Sequence, residues 1–332
     1  MRVVFRADAS VTQGSGHLMR CLTLAEAVRD RGHEAVFVSA ISAVGWLAEH
    51  LAATGFDVHP AVADELDAGA VLALDPDWVV VDSYRIDAGA ISGLAARAHV
   101  LAVVDGETRG IDAALYLDQN LGAERQPPPA TGTMLAGARF ALVRGEIVAQ
   151  RRPEPEALRR PPRVTAFIGG TDPTGVIVGV AAQLAVVRAE FELTIVTPEA
   201  WHRGVRAALG SRAATVLAPT PELPALLGDA DVIVSAAGTS AWDVCTLGIP
   251  ALFIGVVDNQ SASLAEVVER GLALGIDLGE GEPVELVAGH LGRLLSDASL
   301  RRDLSARCLR LFDGRGAQRV VEAMEAHRAD RL

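Results

Sequence analysis

One histidine in this sequence lies in a glycine-rich loop, where its ring could act on a bound ligand. Gly14-Ser15-Gly16-His17 follows an apolar run that predicts a strand and precedes apolar residues at helical spacing. Glycines let backbone amides approach phosphate oxygens, and the start of a helix favours a negative charge and a neutral imidazole. Neutral His17 would suit a general base that takes a proton from water or a sugar hydroxyl. The loop lacks the third glycine of the dinucleotide-binding fingerprint.

Charged residues flank this loop in the sequence. Asp8 ends the first predicted strand and could orient His17 or bind a sugar hydroxyl, while a helix-capping role is about equally expected. Arg6 and Arg20 could offset the charge of a phosphate, although Arg20 could equally pair with a neighbouring carboxylate. We predict a catalytic role for Asp8 beside His17 and a substrate-binding role for the two arginines and the glycines Gly14 and Gly16.

Two further strand ends in the first half carry polar side chains. Asp82 and Tyr84 come just after a buried apolar run, and Asp105 follows the next one. In parallel α/β sheets, ligands bind at the carboxyl ends of the strands. The alternative role for such carboxylates is helix capping. We therefore predict that Asp82, Tyr84 and Asp105 bind substrate.

The second half contains two more turns that could bind an anion. Gly169-Gly170-Thr171-Asp172 connects a predicted strand to a helix, and Gly238-Thr239-Ser240 does so further along. Small residues let the backbone close on a phosphate, and hydroxyls and amides at a helix start can donate to it. Asp243 could reach a ribose diol or could form a capping box with Ser240. Asn259 and Gln260 follow the next strand and would supply side-chain amides.

The elements that must position these residues alternate between strand and helix, which predicts parallel, doubly wound sheets. The predicted strands are Arg2–Phe5, Ala35–Ser39, Trp78–Asp82, Val100–Asp105, Val164–Ile168, Glu192–Val196, Thr215–Leu217, Asp231–Ser235 and Ala251–Ile254. Helices are predicted over Leu18–Arg31 and Val44–Thr54, and from near Thr174, Ala200, Pro221, Ser240, Ser261 and Pro283.

A proline-rich segment divides the sequence. Arg151–Arg163 has four prolines and no apolar periodicity, which is typical of an exposed linker between domains. The fold class expected is therefore α/β, with two Rossmann-like domains, residues 1–150 and 164–332, facing across a cleft. The carboxyl ends of both sets of strands would surround one crevice, where open α/β sheets bind ligands.

Composition excludes several classes of function. The formal net charge of −12 disfavours binding to nucleic acid or to an anionic membrane. Apolar runs have the length of strands, and charges near the N-terminus interrupt any signal-peptide core, so we expect a cytoplasmic protein without membrane insertion. The three cysteines are widely spaced, which predicts buried thiols instead of disulfides or a zinc cluster. The number of subunits stays open.

The combined motifs resemble a known family. Phe5-Arg6-Ala7-Asp8, Gly14-Ser15-Gly16-His17, the Gly-Gly-Thr-Asp turn, and the run from Gly238 through Leu247-Gly248-Ile249-Pro250 to Asp258-Asn259-Gln260 are similar to the nucleotide-sugar hydrolases of pseudaminic acid biosynthesis and related spore-coat polysaccharide biosynthesis proteins. The segment Gly137–Arg144 also resembles that family, and Arg144 is predicted to bind substrate. The resemblance spans nearly the whole chain and implies the GT-B fold.

The resemblance also implies a reaction. The enzyme would hydrolyse a UDP-linked amino or deoxy sugar at the anomeric carbon, with inversion and with neither metal nor cofactor, and His17 matches the catalytic histidine of the family. The second domain would bind the nucleotide, through Gly169, Gly170, Thr171, Asp172, Gly238, Thr239, Ser240, Asp243, Asn259 and Gln260. Asp243 departs from the family, whose members commonly have glutamate there to bind the ribose.

Other functions fit the same residues. An inverting glycosyltransferase with a UDP-sugar donor and a soluble acceptor would need the same histidine. An epimerase acting on a nucleotide sugar is a third possibility. A nucleotide-sugar sensor without catalysis is the fourth, but it gives no reason for a titratable histidine in the glycine loop.

Overall fold

The computed structural model describes residues 1–10, 13–42, 44–170 and 172–329. Their contacts group into two compact units. Unit 1 comprises Met1–Val143 together with the chain from Gly314 onward, and unit 2 comprises Arg144–Asp313.

Unit 1 is an α/β unit built on a parallel sheet. Its strands are β1 (Arg2–Ala7), β2 (Ala9–Ser10), β3 (Glu34–Ser39), β4 (Ile41–Ser42), β5 (Asp57–Pro60), β6 (Trp78–Asp82), β7 (His99–Val103), β8 (Leu115–Asp118) and β9 (Thr133–Ala136), and its first helices are α1 (Gly16–Asp30), α2 (Gly45–Ala53), α3 (Ala68–Leu72) and α4 (Ala88–Gly93). The seven-stranded sheet has the order β5-β3-β1-β6-β7-β8-β9, and β2 pairs separately with β4.

The central strand β1 shows why this sheet is buried on both faces. Successive side chains of a strand point to opposite faces. Phe5 packs in one core cluster with Leu24 of α1, whereas Val4 packs in another with Ile91 of α4. A continuous apolar run is the pattern that helices on both faces of a parallel sheet require.

The register of β1 and β6 brings the predicted site residues of unit 1 to one edge of the sheet. Ala7 at the end of β1 pairs with Asp82 at the end of β6. Asp8 follows β1 directly, and Asp105 lies two residues after β7. The helix α1 that carries His17 begins at the same edge.

Unit 2 is a second parallel α/β unit. Its strands are β10 (Arg163–Phe167), β11 (Glu192–Val196), β12 (Thr215–Leu217), β13 (Val232–Ala236), β14 (Ala251–Gly255) and β15 (Leu274–Asp277), and its helices are α5 (Gly145–Val148), α6 (Val176–Val186), α7 (Glu199–Leu209), α8 (Leu223–Gly228), α9 (Ser240–Leu247), α10 (Ser261–Glu269), α11 (Leu286–Ser296) and α12 (Ala298–Leu311). The strand order is β12-β11-β10-β13-β14-β15. The prediction of two Rossmann-like α/β domains is thus confirmed.

The division between the units differs from the predicted one at the C-terminus. The last helix, α13 (Gly316–Ala329), belongs to unit 1. Its apolar residues Val320, Val321 and Met324 recur at helical spacing and join the core cluster that contains Leu24. This burial against α1 explains why the chain returns to unit 1 after residue 313.

The predicted linker also differs from expectation, because residues 151–163 belong to unit 2. Arg152 is buried, and its guanidinium donates to the backbone oxygen of Ala230 at 2.6 Å. Arg151 donates to the backbone oxygens of Leu309 and Phe312. The prolines therefore wrongly indicated a linker between domains. Arginine side chains attach this irregular segment to unit 2.

The buried hydrophobic residues of the described chain form core clusters that include strands of both large sheets. No helix in the described part of the chain combines the length and the apolar character that crossing a membrane requires.

Candidate active site

His17 forms a dyad with a buried carboxylate. Its Nδ1 lies 2.6 Å from Oδ1 of Asp82, and both residues are buried. Because an ionised carboxylate only accepts hydrogen bonds, Nδ1 carries the proton in this pair. Among the described residues, no hydrogen bond to Nε2 is seen. The lone pair of Nε2 is therefore free to accept a proton, as a general base must.

Arg20 keeps the carboxylate of this dyad ionised. Its Nη2 donates to Asp82 Oδ1 at 2.7 Å, and its Nε donates to Asp82 Oδ2. Burial by itself would raise the pKa of Asp82, but the charges and hydrogen bonds of Arg20 and His17 outweigh it and hold the pKa below its usual range. Arg20 is one turn of α1 after His17, so the helix delivers both partners to one carboxylate.

Asp105 and Tyr84 extend this network toward solvent. Arg20 lies 3.3 Å from each carboxylate oxygen of Asp105, and the hydroxyl of Tyr84 donates to Asp105 Oδ2. The ring of Tyr84 stands edge-on to the imidazole of His17, with centroids 4.7 Å apart. Burial would raise the pKa of Asp105, but the charge of Arg20 and the hydrogen bonds lower it. Tyr84 is 44% exposed, so the network has an open side.

Asp8 does not share this network, which corrects its predicted role. Both oxygens of Asp8 accept from the guanidinium of Arg6. Oδ1 also accepts from the backbone of Ala40 at 2.8 Å, and Oδ2 from that of Asp64 at 3.0 Å. Arg6, which is fully buried, further donates to the backbone oxygens of Val62 and Glu65. Arg6 and Asp8 therefore bond to each other and to the backbone of neighbouring loops. The carboxylate that contacts His17 is that of Asp82, in place of the predicted Asp8.

One glycine of the glycine loop has a left-handed backbone. Gly14 adopts φ +84°, a left-handed conformation that favours glycine, and its amide donates to the backbone oxygen of Ser10 at 2.8 Å. Gly16 begins α1, and Ser15 before it forms no side-chain cap. The amides of the first helical turn have no partners within the helix. An anion-binding role for Gly14 and Gly16 stays a prediction.

In unit 2, the turn after β10 contains Asp172, whose carboxylate lies at the start of α6. Asp172 is buried, and its carboxylate accepts from the amides of Val176 at 3.1 Å and Ile177 at 3.2 Å. These are amides that a phosphate would need at the start of α6. Gly169 and Gly170 are partly buried beside this turn, and the predicted residue Thr171 lies outside the described residues.

The turn before α9 is organised differently. Thr239 precedes the helix and forms no side-chain cap, and it is exposed. The backbone amide of Val256 donates to Oε1 of Gln260 at 2.9 Å. The side chain of Gln260 lies next to Gly238, because a Cβ placed on that glycine would be 3.4 Å from Nε2 of Gln260. The structure thus brings Gly238 and Gln260 together, with Ser240 starting the helix and Asn259 exposed nearby in the sequence.

Arg144 and Asp243 form an ion pair within unit 2. Nε and Nη2 of Arg144 donate to Asp243 Oδ2 at 3.0 and 2.7 Å. Burial of Asp243 raises its pKa, against the charge and hydrogen bonds of Arg144. The predicted substrate-binding Arg144 therefore engages the predicted ribose-binding Asp243. The capping box with Ser240 is not formed, because Thr239 is the cap residue and has no side-chain bond.

The three cysteines are free and buried, as the spacing predicted.

Sequence reasoning missed Asn120, whose Nδ2 donates to Asp105 at 2.6 Å and to Asp118 at 2.9 Å. Asp118 ends β8, a strand that the sequence analysis did not predict, and Asn120 lies two residues after it. The polar run Asp118-Gln119-Asn120 after the apolar residues of β8 is the signal that was available.

The comparison with known proteins gives one partial relative. No family model matches the sequence. The spore coat polysaccharide biosynthesis protein SpsG of Bacillus subtilis (strain 168) is 30% identical over 106 residues, which are 32% of this chain. The match spans about a third of that relative, 31% of its length.

Solved structures resemble the chain over its full length. The structure of S. aureus MnaA with UDP has a TM-score of 0.70 at 14% identity and covers 98% of this chain and 96% of that one. The glycosyltransferase VinC in complex with dTDP has a TM-score of 0.67 at 14% identity and covers all of both chains. At this identity the likeness concerns the fold. With its two parallel α/β units, the chain has a fold of the GT-B type.

Proposed function

We propose that this protein hydrolyses a UDP-linked sugar to UDP and free sugar, with inversion at the anomeric carbon. The observation that carries the proposal is the His17–Asp82 pair, in which Nδ1 contacts the carboxylate at 2.6 Å and Nε2 can accept a proton. The family resemblance of the sequence supports the same reaction, since it assigns the catalytic role to His17.

The proposed step moves one proton and exchanges one bond. His17 Nε2 takes a proton from a water molecule while the water oxygen attacks the anomeric carbon. The bond from that carbon to the phosphate oxygen breaks, and UDP leaves with the electron pair. Attack opposite to the leaving group inverts the configuration. The resulting imidazolium is stabilised by the ionised Asp82.

The other residues of the network support this base. Arg20 keeps Asp82 ionised and so keeps the imidazole in the tautomer that has Nε2 unprotonated. Tyr84 packs edge-on against the ring and limits its rotation. Its exposed side makes it the residue of this network best suited to contact the sugar.

We further propose that unit 2 binds the nucleotide. The turn Gly238-Thr239-Ser240 is the stronger site for the diphosphate, because Thr239 forms no side-chain cap on α9, whereas the carboxylate of Asp172 already accepts from the first two amides of α6. Binding of UDP by MnaA supports a nucleotide ligand for this fold. The fit of an amino or deoxy sugar rests on the family resemblance.

An inverting glycosyltransferase that uses a soluble acceptor is the second candidate. The full-length likeness to the glycosyltransferase VinC favours it. The same base would then deprotonate an acceptor hydroxyl instead of water. The two reactions differ only in what attacks the anomeric carbon.

The test is release of UDP from UDP-sugars without any acceptor. A panel that includes aminodeoxy sugars should identify at least one substrate that yields UDP and free sugar at equal rates, also in the presence of EDTA. Release that requires an added acceptor would favour the glycosyltransferase. Tight nucleotide-sugar binding without turnover under either condition would contradict both.

A further inference from the structure

Arg109 ties together two loops of the candidate active site. We name residues 83–86 the Tyr84 loop and residues 104–111 the Asp105 loop. Arg109 belongs to the Asp105 loop, and its guanidinium donates to backbone oxygens of the Tyr84 loop: to Ser83 and Tyr84 at 2.7 Å each, with Ile86 at 3.5 Å. One side chain thus bonds three backbone oxygens of the neighbouring loop.

The tie acts on the contact that closes the catalytic network. The hydroxyl of Tyr84 donates to Asp105, and these two residues lie on the two loops that Arg109 joins. The ring of Tyr84 packs edge-on against His17 at 4.7 Å. The Tyr84 loop has one internal brace, in which Ser83 Oγ accepts from the amides of Arg85 and Ile86 at 3.1 and 3.2 Å. That brace shapes the loop but does not attach it to Asp105.

The backbone of Arg109 supports a specific role for the side chain. It adopts φ +53°, in the left-handed region that favours glycine or asparagine over arginine. A turn alone would be served better by either of those residues. The fork of donors on a guanidinium, in contrast, can bridge several carbonyl oxygens at once.

We propose that Arg109 is a positioning residue, which fixes Tyr84 against His17 and Asp105 by holding the Tyr84 loop. This role rests on the proposed function only in its effect on turnover. Its effect on the Tyr84–Asp105 contact is independent of any reaction.

The informative variants separate the fork from the backbone. Arg109→Asn suits the left-handed conformation but cannot reach the three carbonyl oxygens, and Arg109→Lys keeps the charge with a single ammonium. Arg85→Gln is the matched control, because Arg85 is a mostly exposed arginine of the Tyr84 loop that pairs with Asp64 at 3.1 Å. Like Arg109→Asn, Arg85→Gln removes one positive charge, but it leaves the bonds of Arg109 to the Tyr84 loop in place.

The first readout is ionisation of tyrosine, followed by near-ultraviolet absorbance and assigned to Tyr84 by its loss in Tyr84→Phe. Burial is the largest cause that raises the pKa of Tyr84, and the negative charge and hydrogen bond of Asp105 raise it further. The charge of Asp82 also raises this pKa, whereas the positive charge of Arg20 lowers it. The imidazole of His17 also lies against the ring, and the guanidinium of Arg109 bonds the backbone of Tyr84. We expect Arg109→Asn to form tyrosinate at lower pH than the native protein, with Arg109→Lys in between and Arg85→Gln unchanged. A wild-type titration in Arg109→Asn would overturn the proposal.

The second readout is turnover. Arg109→Asn should release UDP between about tenfold and a hundredfold more slowly, with unchanged affinity for UDP, because the site is misplaced and not removed. A lower melting temperature with unchanged turnover and unchanged Tyr84 titration would mean a purely structural role and would overturn the proposal. If the native protein releases no UDP but its Tyr84 titration depends on Arg109, the proposed function fails and the positioning role stands.

Discussion

Nδ1 of His17 lies 2.6 Å from Oδ1 of Asp82, at the point where the start of α1 meets the end of β6. The two residues are 65 positions apart in the sequence, so this contact depends on the parallel pairing of β1 with β6. The pair fixes the tautomer of the imidazole and leaves Nε2 able to accept a proton.

Asp82→Asn should slow turnover by about 10²–10⁴-fold, because the amide can stabilise neither the required tautomer nor the imidazolium that forms. UDP affinity, measured by calorimetry, should change little. The matched control is Asp8→Asn, which also removes a buried carboxylate from an arginine pair at the end of a neighbouring strand. Equal loss of turnover in the folded forms of both variants would contradict a special role for Asp82.

Arg20→Leu should destabilise unit 1 strongly, because it leaves the fully buried Asp82 without its cation. Breaking a buried ion pair in this way costs about 3–5 kcal/mol of unfolding free energy. The comparison is Arg85→Gln, in which the side chain that pairs with Asp64 is 59% exposed, and about 0–1 kcal/mol is expected. Denaturant unfolding measures both. Similar losses in the two variants would mean that the Arg20–Asp82 pair is not desolvated as described.

The pH dependence of stability should have opposite signs for two buried aspartates. For Asp82 the folded-state pKa is lowered, since the charges and hydrogen bonds of Arg20 and His17 outweigh burial. Its contribution is therefore complete above the unfolded pKa of about 3.9 and is lost as the pH falls below it. For Asp243, burial raises the pKa despite Arg144. Its contribution is full at low pH and is lost as the pH rises through the folded value.

The measurement is unfolding free energy against pH for the native protein, Asp82→Asn and Asp243→Asn. The advantage of the native protein over Asp82→Asn should shrink on acidification, whereas that over Asp243→Asn should grow. Slopes of the same sign would show that one of the two environments is misassigned.

Much of the fold follows from the sequence because buried parallel strands form continuous apolar runs. Trp78–Asp82, Glu192–Val196 and Thr215–Leu217 are predicted with their observed ends. The strand β5 was missed because all its residues, Asp57–Pro60, are exposed at the sheet edge. The chain from Gly314 onward was assigned to the second domain but belongs to unit 1, since the apolar residues of α13 do not reveal which core they join.

The site was predicted less completely than the fold. The sequence indicated His17, Asp82, Tyr84 and Asp105 separately, because each lies at a helix start or just after a strand. Which carboxylate bonds His17 depends on strand order and side-chain direction, and Asp8 and Asp82 end adjacent strands. In the structure, Asp8 pairs with Arg6, and Asp82 is the carboxylate that contacts His17.

The most direct test of the account is the turnover of His17→Asn on a UDP-sugar from which the native protein releases UDP. Asparagine cannot accept a proton from water as imidazole can, so UDP release should fall by about 10²–10⁴-fold. UDP binding and the melting temperature should stay close to those of the native protein. Undiminished UDP release by a folded His17→Asn protein would remove His17 from the mechanism and contradict the account.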